Sequence, residues 1–191
     1  MRMRQGIVGV GRGAASLVFR EAENLLPNPE AFNLWPNLSS AVVTADALAN
    51  PDGGMNADLV TDNAVGTVGA VAVTTATLTL PTASVPYRYS IYCKPGTVPW
   101  VVLYSTSITG VAIQTWFNTA TGATGTVGTN VTASGADAPI NGWRRVWLTF
   151  TLATDLQGTF SIGMGSASNV ATVLRNGTQT NNLWLAQLAR I

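Results

Sequence analysis

INGWRRVWLTFTL, which runs from Ile140 to Leu152, is the stretch of sequence that decides the fold class. It begins as a turn and continues as a strict alternation of residue types. One side of the alternation is apolar and consists of Val146, Leu148, Phe150 and Leu152. The other side consists of Arg145, Trp147, Thr149 and Thr151. A period of two residues is typical of a half-buried antiparallel strand, so this segment predicts a sheet with one face in a core.

The chain ends in a second strand-like segment, NNLWLAQLARI, from Asn181 to Ile191. It has no polar tail, which predicts a C-terminal strand paired into a sheet. Turn residues separate further short segments of the same kind. The predicted strands are 71–80, 87–94, 100–105, 113–118, 146–152, 160–164 and 183–188. This pattern predicts an all-β antiparallel sandwich, with the Gly- and Thr-rich segment 120–138 as a flexible tip or a subunit contact.

The composition is unusually poor in charge. Of the 191 residues, 47% are hydrophobic and 10% are charged, against a typical charged share of about 25%. The surface must therefore consist largely of small and hydroxyl-bearing side chains. Such a surface suits lasting contact with another protein or with carbohydrate better than it suits a free enzyme.

The first 23 residues differ from the rest and are interpreted as an N-terminal arm, followed by one domain at 24–191. The arm carries Arg2, Arg4, Arg12 and Arg20 and no acid before residue 21, whereas 21–62 contain seven acids and no base. We interpret the arm as an assembly segment that docks on neighbouring subunits. Four arginines without interleaved aromatic residues do not favour nucleic-acid binding. No apolar stretch approaches the ~20 residues of a membrane helix, so no membrane contact is expected.

The sequence argues against an enzyme. It has no histidine and one cysteine, Cys93, so the common Ser-His-Asp and Cys-His arrangements and the usual zinc sites are excluded. Cys93 shares a strand face with Tyr87, Tyr89 and Ile91 and is predicted to be buried. Asp137 and Asp155, the acids beyond residue 62, are interpreted as solvated loop residues rather than a glycosidase pair.

Two kinds of binding residue remain as candidates. Asp52, Asp58 and Asp62 could offer oxygens to calcium, although Asx residues around a PDGG turn have a sufficient structural role in the turn itself. We therefore predict no cofactor and keep calcium as an alternative. Aromatic side chains that could stack on a sugar or meet a subunit are Tyr92 and Trp147, which point outward, and Trp100 and Trp116, at strand edges. Trp35, Trp143 and Trp184 are predicted to close the core.

The order of several segments resembles a jelly-roll module of bacteriophage virion proteins. The matching pieces are NLLPNPEAFNLW, PDGGMNADLVTDN, YRYSIYCKPGT, WFNTATGATGTVG, INGWRRVWLTFT and NLWLAQLARI. The resemblance covers about residues 24–191 and includes a closing strand that lies near the start of the domain. Such modules occur in tail fibres, head fibres and capsid-decorating proteins, and they are related in shape to carbohydrate-binding modules.

The resemblance implies an antiparallel jelly-roll sandwich with an extended arm. It also implies a non-enzymatic virion structural protein, located in the virion and partnered by capsid or tail subunits. A homo-oligomer, for example a trimer, would bury the Thr, Val and Trp faces. The alternative function is a carbohydrate-binding module that recognises host surface glycans.

Deletion of residues 1–23 tests the interpretation of the arm. We expect the truncated chain to fold and to lose attachment to virus particles, because the arm supplies the docking contacts. Circular dichroism checks the folding and co-sedimentation with particles checks attachment. Retention of the truncated chain on particles would contradict the docking role.

Overall fold

A computed structural model describes residues 24–106, 113–154 and 156–191. In these residues the protein is a jelly-roll sandwich of two stacked antiparallel sheets with one short 3-10 helix, Phe32–Leu34. The all-β class expected from the strand pattern is therefore confirmed. Within the described ranges no helix is long and apolar enough to cross a membrane.

The first layer, here called sheet A, has the strand order β1-β5-β13-β8-β9-β10. A short strand, β6, pairs with β13 beside this path. All neighbouring strands in sheet A are antiparallel. The strands are β1 (Asn37–Ser39), β5 (Ala72–Thr74), β6 (Leu78–Thr79), β8 (Trp100–Thr106), β9 (Gln114–Asn118), β10 (Thr124–Val127) and β13 (Gln157–Gly165).

The second layer, sheet B, has the order β11-β12-β7-β15-β3-β2 and is also antiparallel. Its strands are β2 (Ala41–Leu48), β3 (Ala57–Asp62), β7 (Pro86–Pro95), β11 (Val131–Ala136), β12 (Arg144–Thr151) and β15 (Thr180–Arg190). A separate two-stranded pair joins β4 (Val68–Gly69) to β14 (Val173–Leu174). The C-terminal segment is thus a strand paired into a sheet, as predicted, and β15 lies between β7 and β3.

The core lies between the sheets and contains the apolar side of the alternation in residues 146–152. Val146, Leu148, Phe150 and Leu152 are all buried in it. Aromatic rings connect the two layers: Phe160 of sheet A lies 5.3 Å from Tyr89 and 6.0 Å from Phe150 of sheet B, between ring centroids. Such pairs add about 0.5–1.5 kcal/mol each beyond the burial of their surface.

The start of the domain closes onto the last strand. The Leu25 N–H donates to the Leu188 carbonyl at 2.8 Å, and the Asn24 side chain donates to the Ala186 carbonyl at 2.8 Å. The Ala186 N–H in turn donates to the Pro29 carbonyl. These bonds satisfy backbone groups at a register shift in β15, between Trp184 and Gln187, where the ladder with β7 is interrupted.

Parts of the sandwich differ from the strand prediction. The predicted strand 71–80 is two short strands, β5 and β6, separated by an irregular stretch. The segment 120–138, expected to be a flexible tip or a subunit contact, contains β10 and β11. The sequence predicts no strand before residue 71, where the structure has β1, β2, β3 and β4. The strands β10 and β11 have few buried positions, so no alternation marked them, because an edge strand needs no regular apolar face.

Cys93 is buried on β7 with Tyr87, Tyr89 and Ile91, as predicted. Burial raises the pKa of the Cys93 thiol to about 12. The residue is therefore a small core side chain, since the nucleophilic form of cysteine is the thiolate.

Two buried tyrosines of β7 offer a matched test of how hydroxyl groups affect stability. The Tyr87 hydroxyl donates to the Thr82 carbonyl at 2.8 Å and accepts from the Thr82 N–H at 3.0 Å. The Tyr89 hydroxyl is buried and has no hydrogen-bond partner in the described part of the chain. An unsatisfied buried polar group costs about 1–3 kcal/mol, whereas a satisfied one stabilises.

We therefore expect opposite effects from the same substitution. Tyr89→Phe should raise the free energy of unfolding by about 1 kcal/mol, and Tyr87→Phe should lower it by about 1–3 kcal/mol. Denaturant titration of the two variants measures both changes. A loss of stability in Tyr89→Phe equal to that in Tyr87→Phe would contradict this account.

Candidate functional site

The outer face of sheet A carries side chains in rows that follow from strand register. Val102 of β8 is paired with Trp116 of β9 on one side and Gly163 of β13 on the other, and Gly163 is paired with Ala72 of β5. Their neighbours Val101, Leu103, Phe117 and Ile162 point into the core. Alternation therefore places this row on the outer face.

A second, polar row lies next to the first. Tyr104 is paired with Gln114 and with Ser161, and Ser161 is paired with Thr74. The Thr74 and Ser161 hydroxyl oxygens lie 2.8 Å apart. Burial raises the pKa of the Tyr104 hydroxyl, and hydrogen bonds with Ser161 and Thr74 oppose this rise. The phenol is thus neutral at physiological pH and able to donate a hydrogen bond.

The two rows form a groove with a volume of about 210 Å³. Trp116, Tyr104 and Gln114 line it together with small or apolar residues: Ala70, Val71, Ala72, Val102, Gly163 and Ala171. None of these residues is charged. The groove therefore offers an apolar surface with a hydroxyl and an amide along it, and no group that would fix an ionic ligand.

Small residues keep the groove open. A Cβ atom at Gly163 would lie 2.9 Å from a methyl carbon of Val102 and 3.2 Å from a ring carbon of Tyr104. Any larger side chain there would displace those neighbours and project into the space above them. Gly163 is thus required by the close packing of the floor, in a strand position where glycine otherwise costs stability.

Trp116 forms one wall of the groove and is held in place. Its side chain is 4% exposed although it lies outside the core between the sheets. Its indole Nε1 is buried and has no hydrogen-bond partner among the described residues. A buried indole N–H usually has an acceptor, so this donor is an exception within the described part of the fold.

Trp100 lies one row further along the same face. It is paired with Gly165 of β13 and Asn118 of β9. Gly125 of β10 lies between the Trp100 ring and Ser168, which belongs to the loop after β13. A Cβ atom at Gly125 would be 2.7 Å from the ring and 2.5 Å from the Ser168 hydroxyl. Trp100 therefore packs against this loop at the end of the sheet and does not line the groove itself.

The outer face of sheet B has a different character. Arg145 is buried and donates to the Ser90 hydroxyl and to the Gln187 side-chain oxygen, at 3.2 Å in each case from its Nη2. It also forms an ion pair with Asp137, with a 4.0 Å separation. Asp137 accepts a hydrogen bond from the Trp147 indole at 3.2 Å. Asp137 is the exposed loop residue that the sequence predicted, with its side chain 53% exposed, and it also belongs to this polar network.

The two outward aromatics of sheet B already have partners. Tyr92 packs against Trp184 with ring centroids 5.2 Å apart. The Arg88 guanidinium lies over the Trp147 ring, 4.5 Å from its centroid. Trp184 and Trp143 form a small second cluster with Ala57 and Leu185, whereas Trp35 belongs to the main core.

The four aromatic candidates from the sequence are therefore divided between opposite faces of the sandwich. Trp100 and Trp116 lie on sheet A, and Tyr92 and Trp147 lie on sheet B. One small ligand cannot contact both pairs. Tyr104, Gln114 and Gly163 were missed, since alternation identifies outward residues but does not show which strands are neighbours.

The carboxylates considered for calcium do not converge. Asp58 accepts hydrogen bonds from the Phe32 N–H at 2.8 Å and the Asp46 N–H at 3.0 Å. Asp62 accepts from the Gly177 N–H at 2.8 Å and the Gln179 N–H at 2.9 Å, and Asp52 is exposed in its turn. In the ranges that the structure covers, no group of three or more acidic, His or Cys residues could hold a metal ion. Arg2, Arg4, Arg12, Arg20 and Asp155 lie outside those ranges.

No protein-family model matches the sequence, and no curated protein is significantly similar to it. Solved structures with a similar fold include TmCBM61 in complex with β-1,4-galactotriose, at 12% identity and a TM-score of 0.49. That match covers 88% of this chain and 99% of the other. A putative sugar binding protein from Bacteroides thetaiotaomicron gives 11% identity, a TM-score of 0.48 and coverage of 88% and 100%. The enzymatically active domain of bacteriophage CBA120 tailspike protein 4 is 12% identical, with a TM-score of 0.47, and the match covers 88% of this chain and 21% of that one. These likenesses concern architecture and do not identify a ligand.

Substitution of Asp58 tests the structural role of the carboxylate. Burial raises its pKa above the ordinary value of 3.8, and the two N–H donors oppose this rise. Asp58→Asn keeps one good acceptor and turns an amide N–H₂ toward the other donor, so we expect a loss of about 1–3 kcal/mol of stability.

The pH dependence follows from the direction of the shift. The pKa of Asp58 is higher in the folded protein than in the unfolded chain, so above pH 3.8 the folded protein binds more protons than the unfolded chain does. As the pH rises from 3.8 through the folded-state pKa, ionisation of Asp58 therefore lowers the free energy of unfolding. The difference in unfolding free energy between wild type and Asp58→Asn should therefore shrink from about pH 4 to about pH 7. Denaturant titrations at several pH values measure it. A difference that grows with pH would show that the carboxylate is stabilised as an anion.

Proposed function

We propose that the protein is a non-enzymatic glycan-binding module whose outer groove on sheet A receives a neutral saccharide. The observation that carries the proposal is the groove itself, in which Trp116 and Val102 provide an apolar wall and floor beside the polar pair Tyr104 and Gln114. Ligand sites are typically concave and mostly apolar, with a few polar groups that fix orientation.

A sugar ring matches this arrangement because it presents both kinds of surface. Its C–H groups form an apolar face that packs against aromatic and aliphatic side chains, and its hydroxyl groups exchange hydrogen bonds at the rim. The Tyr104 hydroxyl can donate to a sugar oxygen, and the Gln114 amide can both donate and accept. A volume of about 210 Å³ suits one saccharide residue of a chain.

The absence of charge along the groove supports a neutral ligand. A carboxylate or sulfate in this position would lose water without gaining an opposite charge, which is costly. Binding in the groove should therefore depend little on ionic strength, since screening acts on charged partners.

The virion structural role remains a prediction from the sequence. It depends on the arm, residues 1–23, which lies outside the described residues. Glycan binding and a place in a virion are compatible, because a module that displays a glycan-binding groove can be anchored through a separate segment. Oligomeric state and virion partners are likewise proposals.

Gln114→Ala and Gly163→Val test the groove. The first removes one hydrogen-bonding rim group and the second fills the floor with side-chain atoms. On an array of neutral oligosaccharides, we expect the wild type to bind a subset, Gln114→Ala to bind it about tenfold more weakly, and Gly163→Val to lose binding, because an uncompensated rim hydrogen bond contributes about 1 kcal/mol or more.

Trp147→Ala is the matched control because it removes an aromatic residue from the opposite face. It should leave the neutral-glycan profile unchanged, and thermal unfolding verifies that each variant is folded. Loss of binding in Trp147→Ala with retention in both groove variants would move the site to sheet B. No binding by the folded wild type to any neutral glycan would refute the proposed function.

A further inference from the structure

We propose that the outer face of sheet B holds a second, separate binding site, in which Arg88 receives the carboxylate of an acidic saccharide. This site lies on the opposite side of the sandwich from the groove and takes a ligand of different charge. It does not depend on the proposed function of the groove.

Arg88 is the anchor of this site. Its guanidinium lies over the Trp147 ring at 4.5 Å, and in the described part of the chain it has no carboxylate within ion-pair distance and donates no hydrogen bond. Its Nε is buried and has no partner. The two Nη nitrogens are not among the buried atoms without a partner, so the end of the guanidinium remains exposed, and this end can bind both oxygens of a carboxylate.

Arg88 has small neighbours in the sheet. Its neighbours across the sheet are Thr149 on β12 and Ala189 on β15, and both have small side chains. Thr149 shares a hydrogen bond with Thr132 at 2.9 Å between their hydroxyl oxygens. Thr149 is buried and Thr132 is exposed, so a ligand on Arg88 that extends across this face meets the Thr132 hydroxyl.

The charge of this face is complementary to an anion. Arg145 lies close enough to Arg88 that the Arg88 charge contributes to lowering the Arg145 pKa, although burial is the larger cause. Asp137 pairs with Arg145 at 4.0 Å. The charge of Arg88 has no such counterpart in the described residues, so an incoming carboxylate would neutralise it.

Trp147 acquires a specific role in this arrangement. Its indole N–H is bonded to Asp137 and a Cβ at Gly135 would lie 3.0 Å from its ring, so the ring is fixed from two sides. It holds the Arg88 guanidinium in one orientation before a ligand arrives. Preorganisation of this kind lowers the entropic cost of binding.

Isothermal titration calorimetry with trigalacturonate, trigalactose and triglutamate tests the site. At low salt we expect the wild type to bind trigalacturonate, with an affinity that falls as sodium chloride is added. Arg88→Ala should weaken this binding by about ten- to a hundredfold, the range for a hydrogen bond to a charged group. Arg88→Lys should give a smaller loss, since it keeps the charge without the planar pair of donors.

Arg190→Ala is the matched control, because Arg190 is an exposed arginine at the end of the same sheet. It should bind trigalacturonate as the wild type does, and thermal unfolding establishes that the variants are folded. Equal binding by wild type and Arg88→Ala, or no binding of trigalacturonate at all, would overturn the proposal. Tighter binding of triglutamate than of trigalacturonate would overturn the saccharide assignment in favour of an acidic peptide.

Discussion

Packing of Phe160 from sheet A against Tyr89 and Phe150 from sheet B is the contact on which the rest of this structure depends. It holds the two layers together at the centre of the core and fixes which side chains of β7, β12 and β13 point inward. Because strand side chains alternate, fixing the inward set also fixes the outward set. Both candidate sites consist of residues that are outward for this reason.

The two outer faces differ because their central strands carry different outward residues. On sheet A, Ala72, Gly163 and Val102 leave a hollow that Trp116 borders. On sheet B, long planar and charged side chains cover the surface, and Arg145 joins Ser90, Gln187 and Asp137. The first face suits an uncharged ring and the second suits an anion.

The acidic residues of β3 illustrate how polar groups serve the fold instead of a metal. Each of Asp58 and Asp62 accepts two backbone N–H groups from segments that leave the regular ladder. Asp46 has a positive φ of 54° in a stretch where β2 shifts its register against β3, so its N–H needs an acceptor outside the ladder. The sequence showed oxygen ligands close together in the chain, but it did not show that N–H donors had already occupied them.

The sequence by itself determined the fold class and the inward face of the central strands, because the alternation of Val146, Leu148 and Phe150 reflects a local backbone period that needs no knowledge of neighbours. It also determined that Cys93 is buried and that the C-terminus is a strand. Only the tertiary structure decided which outward residues meet. Strand order brings Gly163 beside Val102 and Trp116 into one groove, and it separates Trp116 from Trp147 by the thickness of the sandwich. The physical reason is that pairing between strands distant in sequence depends on the closure of the whole core, which no local pattern records.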